Sequence, residues 1–210
     1  GRGLGEDGPA VAVGSSILGH GRWKLTVHGQ GNHAGTTLME DRADPMVAAA
    51  QIITAVQQAA AALPGARATV GRIQAVPGGT NVIASRVELW LDARHEEDAL
   101  TAQLVETIHG KAQKIAAFEG CSVTLAQESF SPTATFDPGL QRQLQLALPQ
   151  APVLATGAGH DAGILSGQVP AGMVFVRNPS GISHSPQEYV EDADADYSAQ
   201  ALADVLEGLL

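Results

Sequence analysis

From Arg22 to Gln30, apolar Trp23, Leu25 and Val27 alternate with Lys24, Thr26 and His28. This period of two predicts a strand with one buried face. Asp44 followed by Pro45 then supplies a helix N-cap and a proline at the first helical position. The residues after it place Met46, Ala49, Ile52, Ile53, Val56 and Ala60 at helical spacing, and Pro64-Gly65 ends the run. Arg67 to Val76 predicts a second strand, closed by the turn Pro77-Gly78-Gly79. Ser85 to Arg94 predicts a third, with Val87, Leu89 and Leu91 on one side. A second helix is expected from about Glu97 to Glu119, carrying Leu100, Leu104, Ile108 and Ile115, with Gly120 at its C′ position. Cys121 to Glu128 supplies a fourth strand.

The order β-α-β-β-α-β is the split βαβ arrangement of ferredoxin-like domains. It spans 21–131 and reads as complete in itself, with a boundary at Ser131-Pro132. Beyond the boundary the pattern predicts a helix near Pro138 to Leu148 and a strand at Pro152 to Ala155. A Gly-rich turn and a short helix follow, then a strand from Ala171 to Val176, a polar loop and an amphipathic helix ending in Leu209-Leu210. Two short strands do not make a stable sheet alone, so 132–210 reads as part of a larger α/β layer. The stretch 1–20 reads as a linker, or as a strand severed from its sheet. The fold class is therefore α+β.

A formal net charge of -10, with scattered acids, argues against nucleic acid and anionic membranes as partners. A single cysteine, Cys121, excludes an internal disulfide framework and makes a cytoplasmic setting the default. The chain opens on Gly1 and its first methionine is Met39, which suggests a fragment, a processed product or a trimmed chain.

Four clusters hold candidate chemistry. In Gly31-Asn32-His33-Ala34-Gly35-Thr36-Thr37, small residues let the backbone turn and leave His33 able to donate to a substrate carbonyl or oxyanion. Taken alone, the run favours an idle surface histidine. Asn81 and Arg94 offer an amide and a planar fork suited to a carboxylate, and a hairpin would bring them to one edge. The plainer roles are turn capping for Asn81 and an ion pair of Arg94 with Asp92 or Glu96. In Thr156-Gly157-Ala158-Gly159-His160-Asp161 the glycines admit a ligand close to backbone N–H groups. Asp161 would hold the His160 imidazole or cap the helix, although a simple strand-to-helix turn explains the run almost as well. Finally, His184 in Ser180-Gly-Ile-Ser-His-Ser-Pro186 stands on a turned polar loop where a neutral imidazole reaches a metal or substrate. One histidine does not make a catalytic metal site, which usually takes three protein ligands.

Five motifs occur in family order: Asn32-His-Ala-Gly-Thr-Thr37, Pro77-Gly-Gly-Thr-Asn-Val-Ile83, Leu91-Asp-Ala-Arg94, Gly157-Ala-Gly-His-Asp-Ala162 and Gly181-Ile-Ser-His-Ser-Pro186. Together they resemble the M20 metallopeptidase superfamily, in its branch of N-carbamoyl-L-amino-acid hydrolases and allantoate amidohydrolases. The resemblance implies a two-domain amidohydrolase using two divalent ions (Zn, Mn, Ni or Co) on a small ureido or amide substrate. It also implies a homodimer built through the lid domain, 21–131, with 132–210 closing the catalytic domain. By position, His184 matches a metal ligand, and His33 matches a residue that polarises the scissile carbonyl in the other subunit. Asn81 and Arg94 match residues gripping a substrate carboxylate, and Gly157, Ala158, Gly159 and His160 match a substrate-contacting loop. The His-x-Asp pair, bridging aspartate, adjacent glutamates and Glu-Gln-Gly-Pro run of the family's first half have no match here. Glu6-Asp7-Gly8-Pro9 resembles the last only superficially. Most metal ligands and the general base are thus expected on a missing N-terminal half, leaving this chain inactive alone and without tightly held metal. The alternatives are a non-catalytic ferredoxin-like dimerisation module, or another M20 branch acting on dipeptides or acyl amino acids.

Overall fold

The computed structural model describes residues 4, 5 and 7–209. In chain order the elements are β1 (Val11–Ile17), β2 (Gly19–His28), β3 (Asn32–His33), α1 (Pro45–Ala61), β4 (Arg67–Val76), β5 (Val82–Ile83), β6 (Arg86–His95) and α2 (Asp98–Phe118). After these come β7 (Ser122–Ser131), β8 (Ala134–Thr135), α3 (Pro138–Ala147), β9 (Val153–Thr156), α4 (Asp161–Leu165), β10 (Val174–Val176) and α5 (Asp192–Gly208). They divide into two units. One is 19–132, and the other joins the residues before 19 to those from 133 onward.

In the first unit four long strands make an antiparallel sheet in the order β4-β6-β2-β7. With α1 and α2 this is the expected ferredoxin-like arrangement. The period of two works as predicted: Trp23, Leu25 and Val27 of β2 and Val87, Leu89 and Leu91 of β6 are buried on one face. Ile52 and Val56 of α1 and Leu104 and Ile108 of α2 complete that core. Burial of each of the largest, such as Leu25, Leu89, Ile52 and Ile108, contributes roughly 2 kcal/mol.

Asp44 caps α1 as expected, its carboxylate accepting from the Met46 N–H at 2.9 Å. The buried stripe of α1 is rotated from the predicted one. Ala48, Ala49, Ile52, Ala55, Val56 and Ala59 face inward, whereas Met46 is exposed and Ala60 only half-buried. The inward stripe runs through Ala48, Ala55 and Ala59, which the expected stripe of Met46, Ile53 and Ala60 passed by. At the end of α2, Gly120 takes φ +66°, the left-handed conformation that favours glycine at this position.

The second unit corrects the reading of 1–20 as a linker or severed strand. Gly1 to Gly3 and Glu6 lie outside the described residues, but Val11–Ile17 is a strand with partners on both edges. It pairs parallel with β9 along one edge. On the other it pairs antiparallel with β10 at Val11–Val13 and with β8 at Ser16–Ile17. Val11 and Val13 pack with Leu144 of α3, with Leu148 just after that helix, and with Ala201 and Val205 of α5. Gly14 suits this close packing, because a Cβ there would stand 3.1 Å from the ring of fully buried Phe136 and force it to shift. The strand expected from Ala171 to Val176 is regular only over Val174–Val176.

Candidate functional site

His33 lies on β3, which leaves the sheet beyond the end of β2 and pairs antiparallel with β5. The register sets His33 opposite Val82, and the Ala34 N–H donates to the Asn81 carbonyl at 3.0 Å. The structure therefore brings His33 and Asn81 together, both exposed. The Gly35 N–H donates to His33 Nδ1 at 3.0 Å. A neutral imidazole that accepts at Nδ1 carries its proton on Nε2, so Nε2–H is the free donor. Gly35 suits this contact, since a Cβ there would meet His33 Cε1 at 3.3 Å. The His33 carbonyl in turn accepts from the Thr37 hydroxyl at 2.7 Å.

Arg94 is not at this edge. Arg86 at the start of β6 adjoins the base of the His33 loop, because the preceding Ser85 carbonyl accepts from the Gly29 N–H at 3.0 Å. Arg94 is eight residues further along the same strand, about 27 Å at the rise of an extended chain. The expectation that a hairpin gathers Asn81 and Arg94 is therefore not met within one chain, because β6 continues unbroken from Arg86 to His95 instead of folding back. The Arg94 fork is also engaged: Nε donates to Asp92 Oδ1 at 2.6 Å and Nη2 to Oδ2 at 2.8 Å. This hydrogen bonding raises the Arg94 pKa, against the opposing effect of burial.

In the second unit, the Gly157-Ala158-Gly159 turn follows β9 and leads into α4. His160 itself is the N-cap, its Nδ1 accepting from the Ala162 N–H at 3.0 Å. The capping role weighed for Asp161 thus belongs to its neighbour, and the His160 ring proton too is placed on Nε2. Gly159 has open space where a Cβ would be, so the backbone there is approachable.

His184 adopts φ +58°, a left-handed conformation that costs a non-glycine residue about 1 kcal/mol. Glu188, which the sequence did not single out, holds it there. Its carboxylate accepts from the His184 N–H at 2.9 Å and the Ser183 hydroxyl at 3.1 Å. Asn178 and Ser180 cross-link the start of the loop, with Asn178 Nδ2 donating to the Ile182 carbonyl at 2.7 Å. At the loop's base Arg177 makes a two-pronged contact with buried Asp194, 2.7 and 2.8 Å, joining the end of β10 to the start of α5. The His160 turn and the start of this loop leave the sheet at opposite ends of β1, since β9 ends beside Ile17 and β10 beside Val11. Among the described residues no group of three or more His, Cys, Asp or Glu side chains is placed to hold a metal ion.

A family model described as Peptidase family M20/M25/M40 matches residues 6–208. The chain belongs to this family. It is 35% identical over 190 residues to the N-carbamoyl-L-amino-acid amidohydrolase of Pseudomonas sp. (strain NS671), covering 88% of this chain and 46% of that protein. It is 32% identical to the allantoate amidohydrolase of Bacillus subtilis (strain 168), covering 98% and 51%. A crystal structure of an amidase of the hydantoinase/carbamoylase family from Burkholderia vietnamiensis superposes with a TM-score of 0.87 at 30% identity, over 95% of this chain and 50% of that one. These relatives place the chain in the carbamoylase and allantoate amidohydrolase branch. The chain spans about half the length of the curated relatives it matches.

Proposed function

We propose that this chain supplies the substrate-gripping lid and the C-terminal part of an amidohydrolase that cleaves a linear C–N bond, in N-carbamoyl-L-amino acids or allantoate. The observation that carries the reading is the His33 ring, fixed by the Gly35 N–H with its proton on Nε2 and set beside Asn81. A neutral donor on a turned loop suits the carbonyl oxygen of the scissile bond, which gains negative charge in the transition state. To the two divalent ions implied by the family we assign one ligand from this chain, the His184 imidazole, with Glu188 engaged within the loop. The chemistry proposed for this chain is therefore to hold the substrate and polarise its carbonyl.

Asn81 would bind the ureido or carboxylate group with donor and acceptor together. Arg94 would exchange Asp92 for a substrate carboxylate. Separated along β6, the two residues are proposed to serve different substrate molecules. That fits a homodimer through 21–131 in which His33 and Asn81 enter the partner's site. The test is His33→Ala in the complete enzyme, assayed on an N-carbamoyl-L-amino acid. The expected result is a fall in kcat of on the order of a hundredfold with KM within a few-fold. An unchanged kcat removes His33 from the reaction.

A further inference from the structure

We infer that Arg42 is the positioning residue for His33, holding its loop closed so that the Gly35 N–H stays on Nδ1. The inference rests on the reading of His33 as the carbonyl-polarising donor. Arg42 follows the short 3-10 turn Met39–Asp41, and the residue is half-buried. Nη2 donates to the Ala34 carbonyl at 2.7 Å and the Thr37 carbonyl at 3.0 Å, and Nε donates to Thr37 at 3.2 Å. Ala34 adjoins His33 directly, and Thr37 holds the His33 carbonyl through both its N–H, at 3.2 Å, and its hydroxyl. The fork thus closes residues 34 to 42 into a ring that carries Gly35 and begins directly after His33.

Two features separate this arrangement from an ordinary surface arginine. Among the described residues Arg42 forms no ion pair, although the chain carries 22 acidic residues against 12 basic ones. A cation whose described bonds all go to main-chain carbonyls of one loop fixes a backbone shape, with charge-assisted donors stronger than neutral ones. Beyond the β3–β5 pairing, the Ala34–Asn81 bond and the Thr37 bonds to His33, no buried side chain among the described residues anchors the loop. Asn32, His33, Gly35 and Thr36 are exposed, and none of residues 31–42 belongs to the buried core. Without the fork, Gly35 is free to swing away from Nδ1. The ring then loses its fixed tautomer and direction while the sheet and helices beneath remain intact.

The experiment uses the 210-residue chain, isotope-labelled, and reads His33 directly by heteronuclear NMR. Arg42→Gln should speed Gly35 amide exchange by about fivefold to tenfold, the worth of one hydrogen bond, and should turn the single His33 tautomer into a mixture. Arg42→Lys keeps the charge but is a point donor that serves one carbonyl at a time, so it should restore part of the protection. Arg72→Gln, elsewhere on the same unit, should leave His33 unchanged. Urea midpoints near wild type in all three would confirm that the effect is local. Unaltered Gly35 exchange and His33 tautomer in both Arg42 variants would overturn the inference. Neither signal depends on turnover, so loss of the His33 catalytic role in the kinetic test would leave this result standing on its own.

Discussion

Arg94 and Asn81 lie at opposite ends of β6, and this converts into a quantitative complementation test. Arg86 to Arg94 is an unbroken extended run of about 27 Å, too long for one arginine side chain and a small substrate to bridge back to Asn81. If both residues are needed for turnover in a two-fold dimer, each site takes Arg94 from one protomer and Asn81 from its partner. Asn81→Ala and Arg94→Ala homodimers of the complete enzyme should then both be impaired. In a heterodimer of the two variants, one site carries both defects and the other carries neither. Random reassortment of equal amounts makes half the dimers mixed, each with one intact site, so about a quarter of wild-type activity should return. The assay is mixing under conditions that exchange subunits, with heterodimer content measured by differently tagged chains. Proven heterodimers with no gain over the average of the two variants would refute the reasoning, because the two residues would then act on one substrate within one protomer. A variant homodimer that is itself near wild type would show that its residue is dispensable.

Thr101 is fully buried in α2 and its hydroxyl has no hydrogen-bond partner among the described residues. Thr101→Val should therefore stabilise the chain by about 1 kcal/mol, seen as a higher urea midpoint at constant slope. A lower midpoint would reveal a partner for the hydroxyl. Burial raises the Cys121 thiol above its ordinary pKa, with Asp44 and Glu119 adding to the effect. Iodoacetamide at pH 8 should thus label the folded chain several-fold more slowly than the urea-unfolded one, and equal rates would contradict this. The folded thiol keeps a proton that the unfolded thiol releases, so its contribution to stability is present below the unfolded pKa and lost as pH rises through the folded value. Metal analysis of the dialysed chain should find far less than stoichiometric zinc, manganese, nickel or cobalt. A tightly held equivalent would mean that further ligands assemble around His184.

Much of the first unit was legible because its signals are local. Alternation in β2 and β6, the Asp44-Pro45 cap and the Gly120 stop each depend on a few neighbouring residues whose conformational preferences need no distant partner. The family was legible for a related reason, since five motifs in fixed order carry it without any knowledge of their spatial arrangement. Tertiary structure decided everything that depends on register and long-range pairing. Val11–Ile17 resembles a linker until β8, β9 and β10, all more than a hundred residues later, close around it. Asn81 and Arg94 look like partners thirteen positions apart until the unbroken run of β6 separates them, and the Arg94 fork looks available until Asp92 occupies it. Arg42 and Glu188 passed unnoticed as surface charges because what they hold is backbone, through hydrogen bonds whose partners appear only once the loop has closed. Periodicity and caps are properties of the chain; which end of a strand a residue occupies, and which donor reaches which carbonyl, are properties of the packed molecule.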